Sequence, residues 1–304
     1  MINLSVDVAG IKMKNPVTVA SGCFNFGQEF SKFYDLSLLG AISVKGITVH
    51  SRIGNAPPRI AETPAGMLNS VGLQNPGVDH VIVEELPWLQ KYDVPIIANI
   101  NGHSFDDFAI LAERLDGVEG IAALEVNISC PNVKDGGMFF GTCPDMASRV
   151  TKLVRERTKL PIIVKLSPNV TDITVIAKAV EAAGADAVSL INTVLGMAID
   201  VKTRRPMLAN IMGGLSGPAV KPIAVRMVWQ VYQAVKIPIF GMGGITCAED
   251  AVEFMLAGSK AISIGAGNFY DPMCAVNVIN GLQEWCAKEG VKDINEIVGG
   301  IKLN

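Results

Sequence analysis

Pro238-Ile239-Phe240-Gly241-Met242-Gly243-Gly244-Ile245 is an apolar run that breaks into paired glycines. An amphipathic stretch, Ala248–Leu256, follows, and a second apolar run, Ala261-Ile262-Ser263-Ile264, then breaks into Gly265-Ala266-Gly267. Parallel strands cannot be joined by a tight hairpin, so strand, turn, helix, strand is the pattern of a parallel crossover. The same alternation extends back to the start of the chain. Its apolar runs are Val17–Ala20, Ala41–Val44, Pro95–Ile100, Ala122–Ile128, Pro161–Leu166, Ala187–Ile191, Pro238–Gly241 and Ala261–Ile264. Helical stretches lie between them at Asp106–Leu115, Asp145–Thr158, Asp172–Ala183, Pro222–Val235 and Ala248–Leu256. Thr171-Asp172 and Thr246-Cys247-Ala248-Glu249 put capping residues where strand-to-helix loops should end. Eight such runs predict an α/β fold, a (β/α)8 TIM barrel. An open doubly wound sheet is the weaker alternative, since no GxGxxG follows the first strand. Asn3–Met13 alternates around Gly10 and predicts an N-terminal β-hairpin preceding the barrel, against its bottom.

The 304 residues fit one barrel domain spanning 1–304, because such barrels take roughly 250 residues and more with insertions. Hydrophobic residues make up 49% and aromatic ones only 6%, which suits strands of Val, Ile and Ala buried on both faces. A net charge of −3 without a basic stripe argues against a nucleic-acid partner. Met1–Asp7 has neither a basic nor a long apolar segment, so it does not read as a signal peptide. No apolar run reaches roughly 18 residues, so no membrane span is expected. The cysteines Cys23, Cys130, Cys143, Cys247, Cys274 and Cys286 show no CxxC spacing, so no metal or iron–sulphur site is expected on this chain. Free thiols in a reducing, cytoplasmic setting are the expectation.

Chemistry in this fold sits at the C-terminal ends of the strands. Those ends offer Ser21-Gly22, Lys45-Gly46, Asn99, Asn127 with Cys130, Lys165, Asn192-Thr193, Gly243-Gly244 and Gly265-Ala266-Gly267. Glycine loops after consecutive last strands let backbone N–H groups approach a phosphate; the bland alternative is a pair of tight turns. A lysine ending an apolar strand is costly to bury, so Lys45 and Lys165 beside Asn99 and Asn127 point to an anionic or electron-rich planar ligand, such as a flavin. In Asn127-Ile128-Ser129-Cys130-Pro131-Asn132, hydrogen-bonding side chains surround a thiol, which reads as catalytic in preference to an inert buried cysteine. Gly136-Gly137 could hinge a loop there.

These residues resemble the dihydroorotate dehydrogenases. The matching segments are Ala20-Ser21-Gly22, Lys45-Gly46, Asn69–Asn75, Asn127–Asn132, Val164-Lys165-Leu166, Asn192-Thr193, Gly213–Gly217 and Gly241–Ile245, in order along nearly the whole chain. The resemblance implies FMN held by Ser21, Lys45, Gly46, Asn99, Asn127, Lys165, Ile191, Gly217, Gly243, Gly244, Gly265 and Ala266. It implies that dihydroorotate, and the orotate formed from it, meets Lys45, Asn69, Ser70, Val71, Gly72, Leu73, Asn127, Asn132, Asn192 and Thr193, with Cys130 as base. A cysteine in place of a serine base sets the chain apart from the membrane-linked, quinone-using members. Val133–Thr142 resembles the NAD-linked type. That type implies a homodimer core within a heterotetramer, whose second subunit carries FAD and a [2Fe–2S] cluster. The alternatives are a fumarate-linked homodimer, a dihydropyrimidine dehydrogenase-like flavoenzyme and a flavin-free phosphate-binding barrel.

On this reading, Cys130→Ser slows dihydroorotate oxidation strongly while flavin stays bound, because a hydroxyl is a far weaker base than a thiol with an ordinary pKa of about 8.5. Rapid mixing with dihydroorotate reads this directly; bleaching at the parent rate rejects Cys130 as the base.

Overall fold

The structure is a computed structural model that describes residues 2–129 and 140–303, so Cys130 and Asn132 lie outside the described residues. The barrel strands are β1 (Val17–Val19), β2 (Ala41–Ser43), β3 (Ile96–Ile100), β4 (Ile121–Asn127), β5 (Ile162–Lys165), β6 (Ala187–Leu190), β7 (Ile239–Met242) and β8 (Ala261–Ile264). They pair in chain order and close when β8 meets β1 through Ile262↔Val17, Ser263↔Thr18 and Ile264↔Val19. Each predicted run therefore becomes a barrel strand. Several runs extend a residue past the ladder, at Ala20, Val44, Ile128, Leu166 and Ile191, where the chain leaves the sheet while still buried. Every residue of β3, β5, β6, β7 and β8 is buried, which is why these strands read as largely apolar runs and not as regular alternation.

The outer layer contains the five predicted helices, α1 (Phe105–Leu115), α2 (Pro144–Arg155), α3 (Ile173–Ala182), α4 (Lys221–Ala234) and α5 (Ala248–Ala257). α6 (Cys274–Glu289), stopped by left-handed Gly290, was not foreseen. Capping residues set the starts. Ser104 and Asp107 form a reciprocal capping box at α1, and Asp172 accepts from the Thr174 N–H at α3. Phe108, Leu111, Ala112 and Leu115 then fall on one buried stripe of α1.

The hairpin is present as Val6–Val8 paired with Ile11–Met13. Its turn, Ala9-Gly10, has positive φ at both residues, 55° and 87°, matching the twist of the flanking strands. Val8, Ile11 and Met13 are buried in the main core. Val6 and Met13 share a cavity with Pro95 and Ile96, which places the hairpin at the N-terminal end of the barrel.

At the other end, the segments following β2 and β6 meet in a four-stranded antiparallel sheet that the apolar runs did not predict. Its order is Val194–Met197, Met212–Ser216, Gly66–Asn69, Ile60–Thr63. It has a small core of its own in Ala61, Leu68 and Leu208. A short pair, Ile199–Asp200 with Arg205–Pro206, extends from it.

Candidate active site

Gly243 and Gly244, just past β7, have φ of 127° and 81°, conformations that favour glycine. A Cβ on Gly244 would lie 2.8 Å from the Gly217 carbonyl oxygen, so this turn cannot accept a side chain without moving backbone. A Cβ on Gly265 would meet only Ala20 and Cys23, both at 3.7 Å. Among the described residues, no protein acceptor faces the backbone N–H of Gly243, Gly244, Gly265 or Ala266. Unspent N–H groups on two neighbouring loops make a cradle for an anion. Asp250 braces the loop from behind. Its Oδ2 accepts from Thr246 N (2.8 Å), Thr246 Oγ1 (2.9 Å) and Cys247 N (3.2 Å), and Lys221 Nζ donates to Oδ1 at 2.7 Å. Burial pushes the Asp250 pKa up, but the Lys221 ammonium and the Thr246 donors outweigh it, leaving the carboxyl below its ordinary 3.8.

Inside the barrel, below this rim, polar side chains replace the apolar filling. Glu125 of β4, 2% exposed, accepts from Asn99 Nδ2 at 2.5 Å and from Ser189 Oγ at 2.7 Å, and Lys165 Nζ lies 4.0 Å away. Asn101 Nδ2 donates to Asn99 Oδ1 at 2.8 Å. Gly46 passes so close that a Cβ there would sit 2.4 Å from Asn101 Nδ2. Lys45 lines a cleft with Cys23, Val71 and Gln74, and among the described residues its ammonium has no hydrogen-bond or ion-pair partner. Burial holds the Lys45 pKa below its usual 10.5. Burial pushes the Cys23 thiol up to about 11, against the pull of Lys165 and Lys45.

Among the remaining sequence-predicted residues, Asn127, Asn192 and Thr193 are linked by hydrogen bonds. Asn127 Oδ1 accepts from Ser129 N at 3.1 Å and from Asn192 Nδ2 at 3.4 Å, while Asn192 Oδ1 accepts from Thr193 N at 2.8 Å. Thr193 packs on Gly214, where a Cβ would be 2.0 Å from its Oγ1, and Asn69 Nδ2 donates to the Gly214 carbonyl at 3.3 Å. Ser70, Val71, Gly72 and Leu73 follow as a loop: Asn55 Nδ2 donates to Ser70 O, Asn55 N donates to Val71 O, and Gly72 and Leu73 have positive φ. Ile191 N donates to Met242 O beside Gly243, and Ser21 is buried where Ala20 N meets Ile264 O. All the described candidates thus gather at one end of the barrel. The sequence reading missed Glu125, Asn101, Ser189 and Cys23. Its available signal was a lone carboxylate inside an apolar strand.

The family profile described as dihydroorotate dehydrogenase matches residues 3–286. The chain is a member of the dihydroorotate dehydrogenase family. It is 57% identical over 298 residues to a protein of Desulforudis audaxviator, covering 98% of this chain and 97% of that one. It is 57% identical over 302 residues to one of Desulforamulus reducens, covering 99% of each. A Thermoanaerobacter pseudethanolicus protein is 54% identical over 303 residues, covering 100% of each. Each of these relatives is named dihydroorotate dehydrogenase B (NAD(+)), catalytic subunit.

For this dihydroorotate dehydrogenase family member, the Asp250 brace generates a pH prediction. The native pKa lies below the unfolded one, so the stabilisation is present above about 3.9 and is lost as pH falls through the native value. Asp250→Asn should lower Tm at pH 7, and the gap from the parent should close below pH 4. Thermal unfolding across that range measures it; a gap constant with pH shows that the carboxylate charge contributes nothing.

Proposed function

We propose that this chain oxidises dihydroorotate to orotate, the redox step of de novo pyrimidine (UMP) biosynthesis, as the FMN-carrying catalytic subunit of an NAD-linked dihydroorotate dehydrogenase. The observation that carries this reading is the meeting of four unspent N–H groups, two lysines and a wall of asparagines at one barrel mouth. A flavin phosphate suits Gly243, Gly244, Gly265 and Ala266, with Gly217 and Ile191 shaping the turn beneath them. Ser21, Lys45, Gly46, Asn99, Asn127 and Lys165 supply the donors and the positive charge that a flavin ring needs as it gains electrons.

The chain's own groups would then work as follows. Asn69, Asn127, Asn132, Asn192 and Thr193 pair with the amide donors and acceptors around the pyrimidine. Ser70, Val71, Gly72 and Leu73 close over its edge, and Lys45 meets its carboxylate. Cys130, as thiolate, takes the proton from C5. FMN bound on this rim supplies the two-electron acceptor for the hydride leaving C6.

Electrons would pass on to NAD through a partner subunit carrying FAD and a [2Fe–2S] cluster. In support, the relatives' names include NAD(+) and "catalytic subunit", and the sequence has no GxGxxG to hold NAD itself. A homodimer core within a heterotetramer is part of the reading. Leu195, Met197, Ile199, Val201, Ile211 and Met212 are exposed together on the antiparallel insertion, and Met197 pairs with Met212 across it. Among the described residues no helix is long and apolar enough to cross a membrane. Cys23, Cys143, Cys247, Cys274 and Cys286 are free thiols, which fits the proposed cytoplasmic location.

A visible spectrum of the purified chain tests the foundation, since absence of a flavin band rejects it. Steady-state turnover tests the partner. The isolated chain should bleach its flavin with dihydroorotate yet form NADH rapidly only with the second subunit. Rapid NADH formation alone contradicts the two-subunit reading, and rapid fumarate reduction moves the chain to the homodimeric type. Lys45→Ala should weaken orotate by about 10-fold or more, the value of one charge-assisted hydrogen bond, and weaken uracil less. Equal losses in a binding titration assign Lys45 to the flavin and not to the carboxylate.

A further inference from the structure

Glu125 and Asp250 are the buried acids among the described residues. Asp250 is accounted for by Lys221 and the loop it braces. Glu125 lies inside the barrel, where a buried charge is costly unless it is hydrogen-bonded and paired. It reaches three other strands at once: Asn99 on β3, Lys165 on β5 and Ser189 on β6. Both carboxylate oxygens accept hydrogen bonds, and the Lys165 ammonium at 4.0 Å is close enough for attraction yet too far for a direct hydrogen bond. Asn99 Nδ2 is committed to Glu125 and its Oδ1 receives Asn101, so the amide cannot flip. Two ammonium groups, Lys45 and Lys165, serve the mouth. Cys23, which faces both, remains a neutral thiol at ordinary pH.

We propose that Glu125 is a positioning residue: its carboxylate tethers Lys165 and Asn99 beneath the flavin and cancels one of the two positive charges the lysines present to it. This rests on the FMN reading above. The physical consequence has a sign. A flavin gaining electrons also gains negative charge, so a buried anion nearby disfavours the reduced form. Glu125 therefore holds the cofactor's reduction potential down. In a chain that must hand its electrons on, this keeps two lysines from trapping them.

Glu125→Gln preserves shape and most hydrogen bonding but removes the charge. With FMN retained, the flavin reduction equilibrium should shift toward the reduced form by about tenfold, about 30 mV upward for a two-electron couple. Glu125→Asp, which keeps the charge on a shorter stem, should fall between the variant and the parent. A merely structural Glu125 moves stability without moving the potential in this direction. An unchanged potential in E125Q, with the flavin band intact, overturns the proposal. Should E125Q fail to fold, Lys165→Met and the double variant E125Q/K165M carry the test. K165M strands the carboxylate and should lower Tm, and the double variant should regain part of the loss; a double variant no more stable than K165M overturns the tether. A parent chain without a flavin band rejects the FMN reading instead, and the Tm comparison still decides whether Glu125 and Lys165 are coupled.

Discussion

Closing a parallel sheet on itself consumes backbone hydrogen bonds up to the last paired residue of every strand. In this chain the ladder ends at Met242 and Ile264, and the amides that follow, at Gly243, Gly244, Gly265 and Ala266, have no acceptor among the described residues. The fold therefore produces a ring of order that stops abruptly, and its unsatisfied edge is where an anion can bind. Much else is arranged around that edge. Glycines keep side chains out of it, and Asp250 anchors the loop behind it. The hairpin packs into the core at the opposite end.

The interior beneath that edge is a balance of charges in a place that water reaches poorly. Lys45, Lys165, Glu125 and Cys23 share it, and both lysines pull on the Cys23 thiol. Desolvation acts against the ammonium of Lys45 and against the thiolate of Cys23 alike. Asparagines serve here because they supply donors and acceptors without adding to the charge. The chain Asn101–Asn99–Glu125–Ser189 commits hydrogen-bonding groups from β3, β4 and β6 to one network, so displacing one member disturbs the rest.

The barrel was legible because burial on both faces makes its strands largely apolar runs. The five intervening helices were legible from their periodicity and, at Asp172, from a cap. The antiparallel sheet was not. Asn69 and Gly214 are paired across 145 residues, and neither Gly66–Asn69 nor Met212–Ser216 carries a pattern that names its partner. α6 was missed because its buried positions, Cys274, Val278, Leu282 and Cys286, follow the last barrel strand and were not needed to close the eight-fold count. At the site, residues at strand ends were readable because topology alone sends them to the mouth. Glu125 was hidden because it sits inside a strand, where only side-chain direction distinguishes the barrel interior from the outer layer. Cys130 was singled out from its neighbours in sequence and lies outside the described residues.

The small separate core of Ala61, Leu68 and Leu208 gives the molecule two sides that can change at different rates. Leu68 precedes Asn69, and Leu215, packed on the same cluster, follows Gly214, so the wall that carries Asn69 hangs from three buried side chains that the main core does not share. On the proposed assignment, repacking those side chains would retune the shape offered to the substrate while the glycine loops after β7 and β8 stay where they are. Specificity in such a molecule can drift without renegotiating the cofactor.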